Sequence, residues 1–190
     1  VLEGGNIVNI LVIHSHNANR GDEAAVKAMV DELLIKYPGA KITISNNGFT
    51  PYPGMPENVI QIDRFPKLES RIAQLEFFIV LLFKGKFALT KEARKFIRAL
   101  KEADVVLHAP GGPSIGDTYF KAEKLYLWRL NLIRRMGIPY IFYAPSMGPF
   151  NCASRNKLRK EVISGAERII LRDPISVKYV KDFLPGVEVE

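Results

Sequence analysis

A chain of 190 residues, 47% hydrophobic and 25% charged, can bury one real core and is not the composition of a disordered or fibrous protein. Its single cysteine, Cys152, excludes an internal disulfide and fits a reducing, cytoplasmic compartment; one Cys and three His cannot build a Cys-rich zinc site. The net charge of +7 favours an anionic partner or, equally, a lysine-solvated surface, and no basic run alternates with aromatics as an RNA-binding sheet requires, so no nucleic acid is expected.

The opening VLEGGNIVNILVI lacks the basic region and small-residue cleavage site of a signal peptide. Residues 7–13, IVNILVI, are a β-branched apolar run and predict a buried parallel strand. Apolar residues at Val26, Met29, Val30, Leu33, Leu34 and Tyr37 fall at helical spacing, stopped by Pro38 and Gly39. Strands follow at 41–45 and 59–62, separated by a Pro/Gly/Asn-rich loop. Residues 67–83 and 91–103 read as helices, 104–109 as a strand, 118–137 as a long helix stopped by Gly137 and Pro139. A strand at 139–144, a helix at 154–165, a strand at 167–172 and a helix at 174–183 complete the series, with VEVE a further short strand.

The apolar peak FFIVLLF, residues 77–83, is too short to cross a bilayer, which takes roughly twenty residues of helix. With Arg71 and Glu76 before it and Lys84 and Lys86 after it, the segment suits buried core, a contact between subunits, or docking on a membrane surface.

Alternation of strand and helix implies βαβ crossovers, so residues 1–190 read as one α/β domain, a Rossmann-like αβα sandwich with a mainly parallel sheet. Ligands of such sheets bind beyond the carboxyl ends of the strands, and the unusual residues of this chain fall there four times.

After the first strand, His14 and His16 are candidate acid–base groups or structural histidines. They are followed by NRGDEAAV, where Gly21 frees backbone N–H groups for an anion and Asn19 or Asp22 caps a helix. This loop is neither a dinucleotide fingerprint nor a P-loop. After the strand at 104–109, APGGPSIGDTYF places Gly111, Gly112 and Gly116 where a ligand can approach the backbone, with Ser114 between them; Asp117 or Thr118 suits the helix cap. PSMGPFN places Ser146 and Gly148 between stiffening prolines. RDPIS places Arg172 at a strand end, suited to carboxylate or phosphate or to an ion pair with Asp173.

Taken in order, these loops resemble the polysaccharide pyruvyl transferase family. Its N-x-G-D-x-A loop is similar to Asn19-Arg20-Gly21-Asp22-Glu23-Ala24, and its Gly-Gly turn followed by Asp to Gly111, Gly112 and Asp117. Its G-x-S-x-G-P segment is similar to Ser146-Met147-Gly148-Pro149, with Ala144 in place of the leading glycine, and its R-D-x-x-S to Arg172, Asp173 and Ser176. The resemblance implies a two-domain fold like that of GT-B glycosyltransferases, of which this chain would be the N-terminal domain, the C-terminal domain being absent.

It further implies phosphoenolpyruvate as donor substrate, with no cofactor and no metal, and two hydroxyls of a sugar or lipid-linked saccharide as acceptor, giving a pyruvate ketal in cell-surface or exopolysaccharide synthesis. On that reading Asp22 and Asp117 orient or deprotonate the acceptor, and His14 or His16 is the acid. Arg172, Ser146 and the 111–116 backbone hold anions, with Asn19, Gly21, Ser114, Gly148 and Ser176 around them. The enzyme would act in the cytoplasm, with peripheral association at the inner face of the membrane and a homo-oligomer both open. Two alternatives stand beside it: a GT-B glycosyltransferase using a nucleotide sugar, and a non-catalytic member binding glycans or a membrane assembly.

Overall fold

The computed structural model describes residues 8–47, 50–66 and 70–190. Six parallel strands form the main sheet in the order β3-β2-β1-β4-β6-β8. These are β1 (Asn9–Ser15), β2 (Lys41–Asn46), β3 (Val59–Asp63), β4 (Val105–His108), β6 (Tyr140–Tyr143) and β8 (Arg168–Ile170). The helices are α1 (Arg20–Lys36), α2 (Arg71–Leu82), α3 (Lys91–Glu102), α4 (Phe120–Met136), α5 (Asn156–Ser164) and α6 (Pro174–Phe183). The Rossmann-like sandwich expected from the alternation of elements is the fold observed.

Side-chain alternation along β1 explains the layering. Ile10 and Val12 join Val26, Met29 and Val30 of α1 in one core, while Leu11 and Ile13 face Phe77, Phe96, Leu127 and Leu130 of α2, α3 and α4 in the other. A strand segment covered on both faces is apolar at successive positions, which is why ILVI, residues 10–13, shows no polar alternation. Helix starts follow from local chemistry: the side chains of Asn19, Ser70, Thr90 and Asp173 each accept from a backbone N–H of the first turn. Helix α4 ends at Gly137, in the left-handed region at φ 76°.

The structure departs from the sequence reading at the site-bearing ends. Strand β1 runs on to Ser15, so His14 lies within the strand rather than past it. Residues 1–7 and 67–69, the starts of the expected first strand and of the expected 67–83 helix, lie outside the described residues. Both long turns hold short strands: β5 (Gly111–Ile115) pairs in parallel with β7 (Pro145–Met147) as a second, two-stranded sheet. Glycine and proline weaken any strand signal, so composition alone hides this pair. Helices expected from 118 and 154 begin as 3-10 turns at Asp117–Tyr119 and Ala153–Arg155. In the expected VEVE strand, Glu190 exchanges backbone hydrogen bonds with Ile169 and Leu171 beside β8.

Candidate functional site

Strand order reverses direction between β1 and β4, where one chain leaves to the β2 side and the other to the β6 side. A crevice opens at such a switch point because the loops that follow the two strands diverge. Here it holds an inner cavity of about 160 Å³, lined by His14, His16, Asp22, His108, Ser114 and Tyr126 among others. A wider outer cavity of about 500 Å³ adjoins it, with Gly21, Ala144 and Arg172 in its wall. Asn19, Asp22, Pro110, Gly111, Gly112 and Tyr119 line both.

The shared wall is built by the cap of α1. Asn19 Oδ1 accepts from the Asp22 N–H at 2.8 Å, and Asn19 Nδ2 donates to Asp22 Oδ2 at 2.6 Å. That reciprocal clasp fixes the carboxylate and turns its other oxygen toward Gly111. Gly111 sits at φ 148°, and a Cβ there would stand 3.0 Å from Asp22 Oδ1. Glycine is required at this spot for both conformation and clearance. Gly112 has nothing within 4 Å of a built Cβ, so it leaves the cavity open.

Deeper in, three aromatic bases and a phenol meet. His14, at φ 60°, packs its ring 4.6 Å from that of His108 and 4.2 Å from that of Tyr126. His16 Nε2 lies 2.5 Å from the Tyr126 hydroxyl. His108 Nδ1 donates to the Ala109 carbonyl at 2.9 Å, which leaves Nε2 as an acceptor. Among the described residues, His108 Nε2, both ring nitrogens of His14 and Ser114 Oγ are buried without a hydrogen-bond partner. Buried polar atoms are nearly always satisfied, so a cluster of unsatisfied ones lining a cavity makes it the candidate position for a ligand.

Burial works against the charged form of all three imidazoles. It pushes His108 down to about 4 against its bond to Ala109 and pushes His14 well below the ordinary value, with His108 and Arg129 adding to the effect. His16 is lowered too, again by burial, but the Asp22 carboxylate works in the opposite direction. Tyr126 is raised to about 12 by burial, so it remains a phenol that can donate. Behind the cluster lies Arg129, fully buried, donating to the Phe65 carbonyl at 2.6 Å and to Asn47 Oδ1 at 2.7 Å. No carboxylate pairs with it among the described residues, and burial lowers its pKa to about 9.

The remaining expected residues divide into two groups. Arg172 is exposed in the outer cavity wall and makes no ion pair among the described residues. Its neighbour Asp173 instead caps α6, accepting from the Ser176 N–H at 2.8 Å and from the Ser146 and Ser176 hydroxyls at 2.8 and 2.9 Å. Those bonds, led by the Ser176 N–H, hold its carboxyl below the usual range. Ser146 and Ser176 therefore fasten β7 to α6 and fix the strand end from which Arg172 projects.

Asp117 lines neither cavity. Its Oδ1 accepts from Arg159 at 2.7 Å, and its Oδ2 from the Asn151 and Cys152 N–H groups at 2.6 and 3.1 Å. Partial burial pushes the carboxyl up, but these donors outweigh it and hold it below the ordinary value. Gly116 and Gly148 pack against each other, a Cβ on Gly116 meeting the Gly148 backbone at 2.7 Å. They lock the β5–β7 pair rather than face the cavity.

Sequence reasoning missed the roles of His108, Tyr126 and Arg129. The last two lie mid-helix, where only an arginine within the apolar run LYLWRLNLI hints at a buried charge. Among the described residues no three His, Cys, Asp or Glu side chains converge as a metal site would require.

No curated protein matches the chain. Two solved structures share only 14% and 13% identity with it, at a TM-score of 0.33 each. One concerns organophosphate hydrolysis engineered from a weakly promiscuous lactonase; the other is a variant of an organophosphorus hydrolase. The matches cover 96% of this chain but 65% and 62% of those chains, so the chain spans less than two thirds of their length. A similarity at that level carries no argument about fold or chemistry. A family model described as polysaccharide pyruvyl transferase, by contrast, matches residues 19–189. The match begins at the residue that clasps Asp22 and runs through β5, β7 and the Arg172 loop: this chain belongs to the polysaccharide pyruvyl transferase family.

Proposed function

We propose that the crevice between β1 and β4 takes a saccharide acceptor in its inner cavity and the anionic groups of phosphoenolpyruvate in its outer one. The observation that carries this reading is the chemical difference between two chambers sharing one wall. To the Asp22 carboxylate of the shared wall the inner chamber alone adds neutral imidazoles, and these acceptors together suit hydroxyl groups. The outer chamber offers Arg172 and the first turn of α1 at Gly21, which suit phosphate or carboxylate.

In the reaction, a proton is added to C3 of the enol and one acceptor hydroxyl adds to C2. The second hydroxyl then adds at C2 as phosphate leaves, giving the ketal and inorganic phosphate. Asp22, fixed by Asn19, removes a hydroxyl proton. His14 and His108, held neutral, accept further hydrogen bonds from the diol. His16 is the acid: burial lowers its pKa, but the Asp22 carboxylate opposes that lowering, as it does for neither His14 nor His108. Asp117 acts at a distance, by holding the segment that follows β5. The reaction belongs in the cytoplasm, where the donor is made, and the whole catalytic unit resembles a GT-B enzyme with a second domain closing on this edge.

The test is incubation of the purified protein, in its full natural length, with phosphoenolpyruvate and a sugar carrying a free diol. Sugar-dependent phosphate release together with the mass gain of a ketal supports the reading. Turnover of a nucleotide sugar without phosphoenolpyruvate would replace it with glycosyl transfer. An Asp22→Asn variant with unchanged turnover would remove Asp22 from the mechanism.

A further inference from the structure

Away from the crevice, α2 presents an apolar stripe to solvent. Ile72, Leu75, Phe78 and Leu82 lie on its outer side at helical spacing, exposed by 76%, 63%, 48% and 64%. Phe83 and Phe87 continue the surface beyond the helix as an edge-to-face pair with centroids 4.9 Å apart. Monomeric soluble proteins rarely expose contiguous apolar surface of this kind unless something covers it.

The surface is built rigidly. Phe77 on the inner side of α2 stacks on Trp128 at 5.8 Å. Buried Glu76 accepts from the N–H groups of Leu89 and Thr90, each at 2.7 Å, and from the Thr90 hydroxyl at 2.8 Å. That carboxylate ties α2 to the start of α3 and holds the aromatic turn in place.

Charge identifies the occupant. Residues 71–98 carry seven Lys and Arg against two Glu, which is most of the net +7 of the chain. One of the two, Glu76, is buried and engaged in the bonds just described, whereas all seven cations are exposed. Arg71 stands at one end of the stripe and Lys84 and Lys86 at the other, all three exposed, and long cationic side chains can cover apolar surface with their stems while the charge stays outside. A second copy of the chain would set cations against cations across a symmetric contact, which is unfavourable.

We propose that α2 and the turn after it dock the protein on an anionic lipid bilayer, with the stripe entering the headgroup boundary and the flanking cations meeting lipid phosphates. No described helix is long and apolar enough to span the bilayer, so the contact is peripheral. The proposal rests on this surface alone and is independent of the reaction assigned to the crevice.

Co-sedimentation with phosphatidylglycerol–phosphatidylcholine vesicles, against phosphatidylcholine alone, tests it. The expected result is binding to the anionic vesicles that weakens as salt is raised. Phe78→Ser with Leu82→Ser should lower it by about tenfold or more. Each of Lys84→Glu and Lys86→Glu should lower it roughly fivefold. The four positions are exposed, with the Phe78 ring packing on Trp128 at 5.0 Å, so circular dichroism should stay unchanged and Tm should fall by no more than a few degrees in the Phe78/Leu82 variant. Equal sedimentation of wild type and the Phe78/Leu82 variant, or no binding at all, overturns the proposal. A concentration-dependent dimer in ultracentrifugation that the same variant abolishes also overturns it, assigning the surface to a second copy.

Discussion

Oδ1 of Asp22 stands 3.0 Å from where a Cβ on Gly111 would be, so the first turn of α1 and the strand after β4 touch across the switch point. That contact joins two motifs separated by nearly half of the chain, and it turns two short patterns into one wall. Gly111→Ala should therefore damage the site from both sides, by strain at φ 148° and by displacing the carboxylate. We expect a loss of about 1–3 kcal/mol in stability and a fall in kcat/KM of at least roughly tenfold. Gly112→Ala, with open space around it, should leave Tm nearly unchanged; urea unfolding and steady-state kinetics on both variants check the contrast.

Ala144 occupies the position where the family pattern has glycine, and it sits at φ 55°. A left-handed conformation costs an L-residue about 1–2 kcal/mol, part of which glycine returns through its larger unfolded-state entropy. Ala144→Gly should raise stability by about 0.5–1 kcal/mol, a shift of roughly 1–4 °C in Tm. A lower Tm in scanning calorimetry would show that the Ala144 methyl makes packing contacts worth more than the strain.

Buried neutral histidines make the fold acid-sensitive. His108 titrates near 4 when folded but near its ordinary 6.5 when unfolded. Between those values the unfolded chain binds the extra proton, so stability is full above about pH 6.5 and falls until about pH 4. The loss from His108 alone is about 3 kcal/mol, and His14 adds to it in the same direction. Asp117 and Asp173, held below 3.8, act in a lower window, losing their contribution as pH drops past that value. Urea midpoints from pH 7 to 4.5 should show the first loss, and it should shrink in a His108→Asn variant.

Arg159 is the hub of the segment after β5. It is fully buried and bonds Glu123 Oε1 at 2.7 Å, Asp117 Oδ1 at 2.7 Å and Asn156 Oδ1 at 3.0 Å. Arg155 reaches the same Glu123 at 2.8 Å, and the Gly116 N–H donates to Glu123 at 2.8 Å. Arg159→Met leaves a buried carboxylate short of a partner and should cost about 3–5 kcal/mol. Asp117→Asn, nearer the surface, should lower Tm by less and leave acceptor KM unchanged. A large KM effect with an unchanged Tm would instead place Asp117 at the substrate.

The order of elements, the parallel sheet and the edge that bears the site follow from the sequence because they depend on local periodicity. A doubly buried strand must be apolar throughout, an N-cap must be a short polar side chain, and strands joined by helices must run parallel. The loops carrying Asn19, Asp22, Gly111 and Arg172 were legible for the same reason, since glycine and short polar residues between regular elements have few local explanations. The roles within those loops were not legible. Asp22 and Asp117 look alike in sequence, each an acidic residue near a glycine at a helix start, yet one faces a cavity and the other is held by Arg159. His14 and His108 come together only because β1 and β4 are hydrogen-bonded neighbours, with Ile13 in register with His108. Tyr126 and Arg129 reach them because one face of α4 turns inward. Those distinctions depend on which side chains meet across long sequence separations, and hence on burial and neighbouring charge. Local pattern specified the fold and pointed to one sheet edge as the candidate site; only tertiary packing separated the groups left open to a cavity from those that hold the edge together.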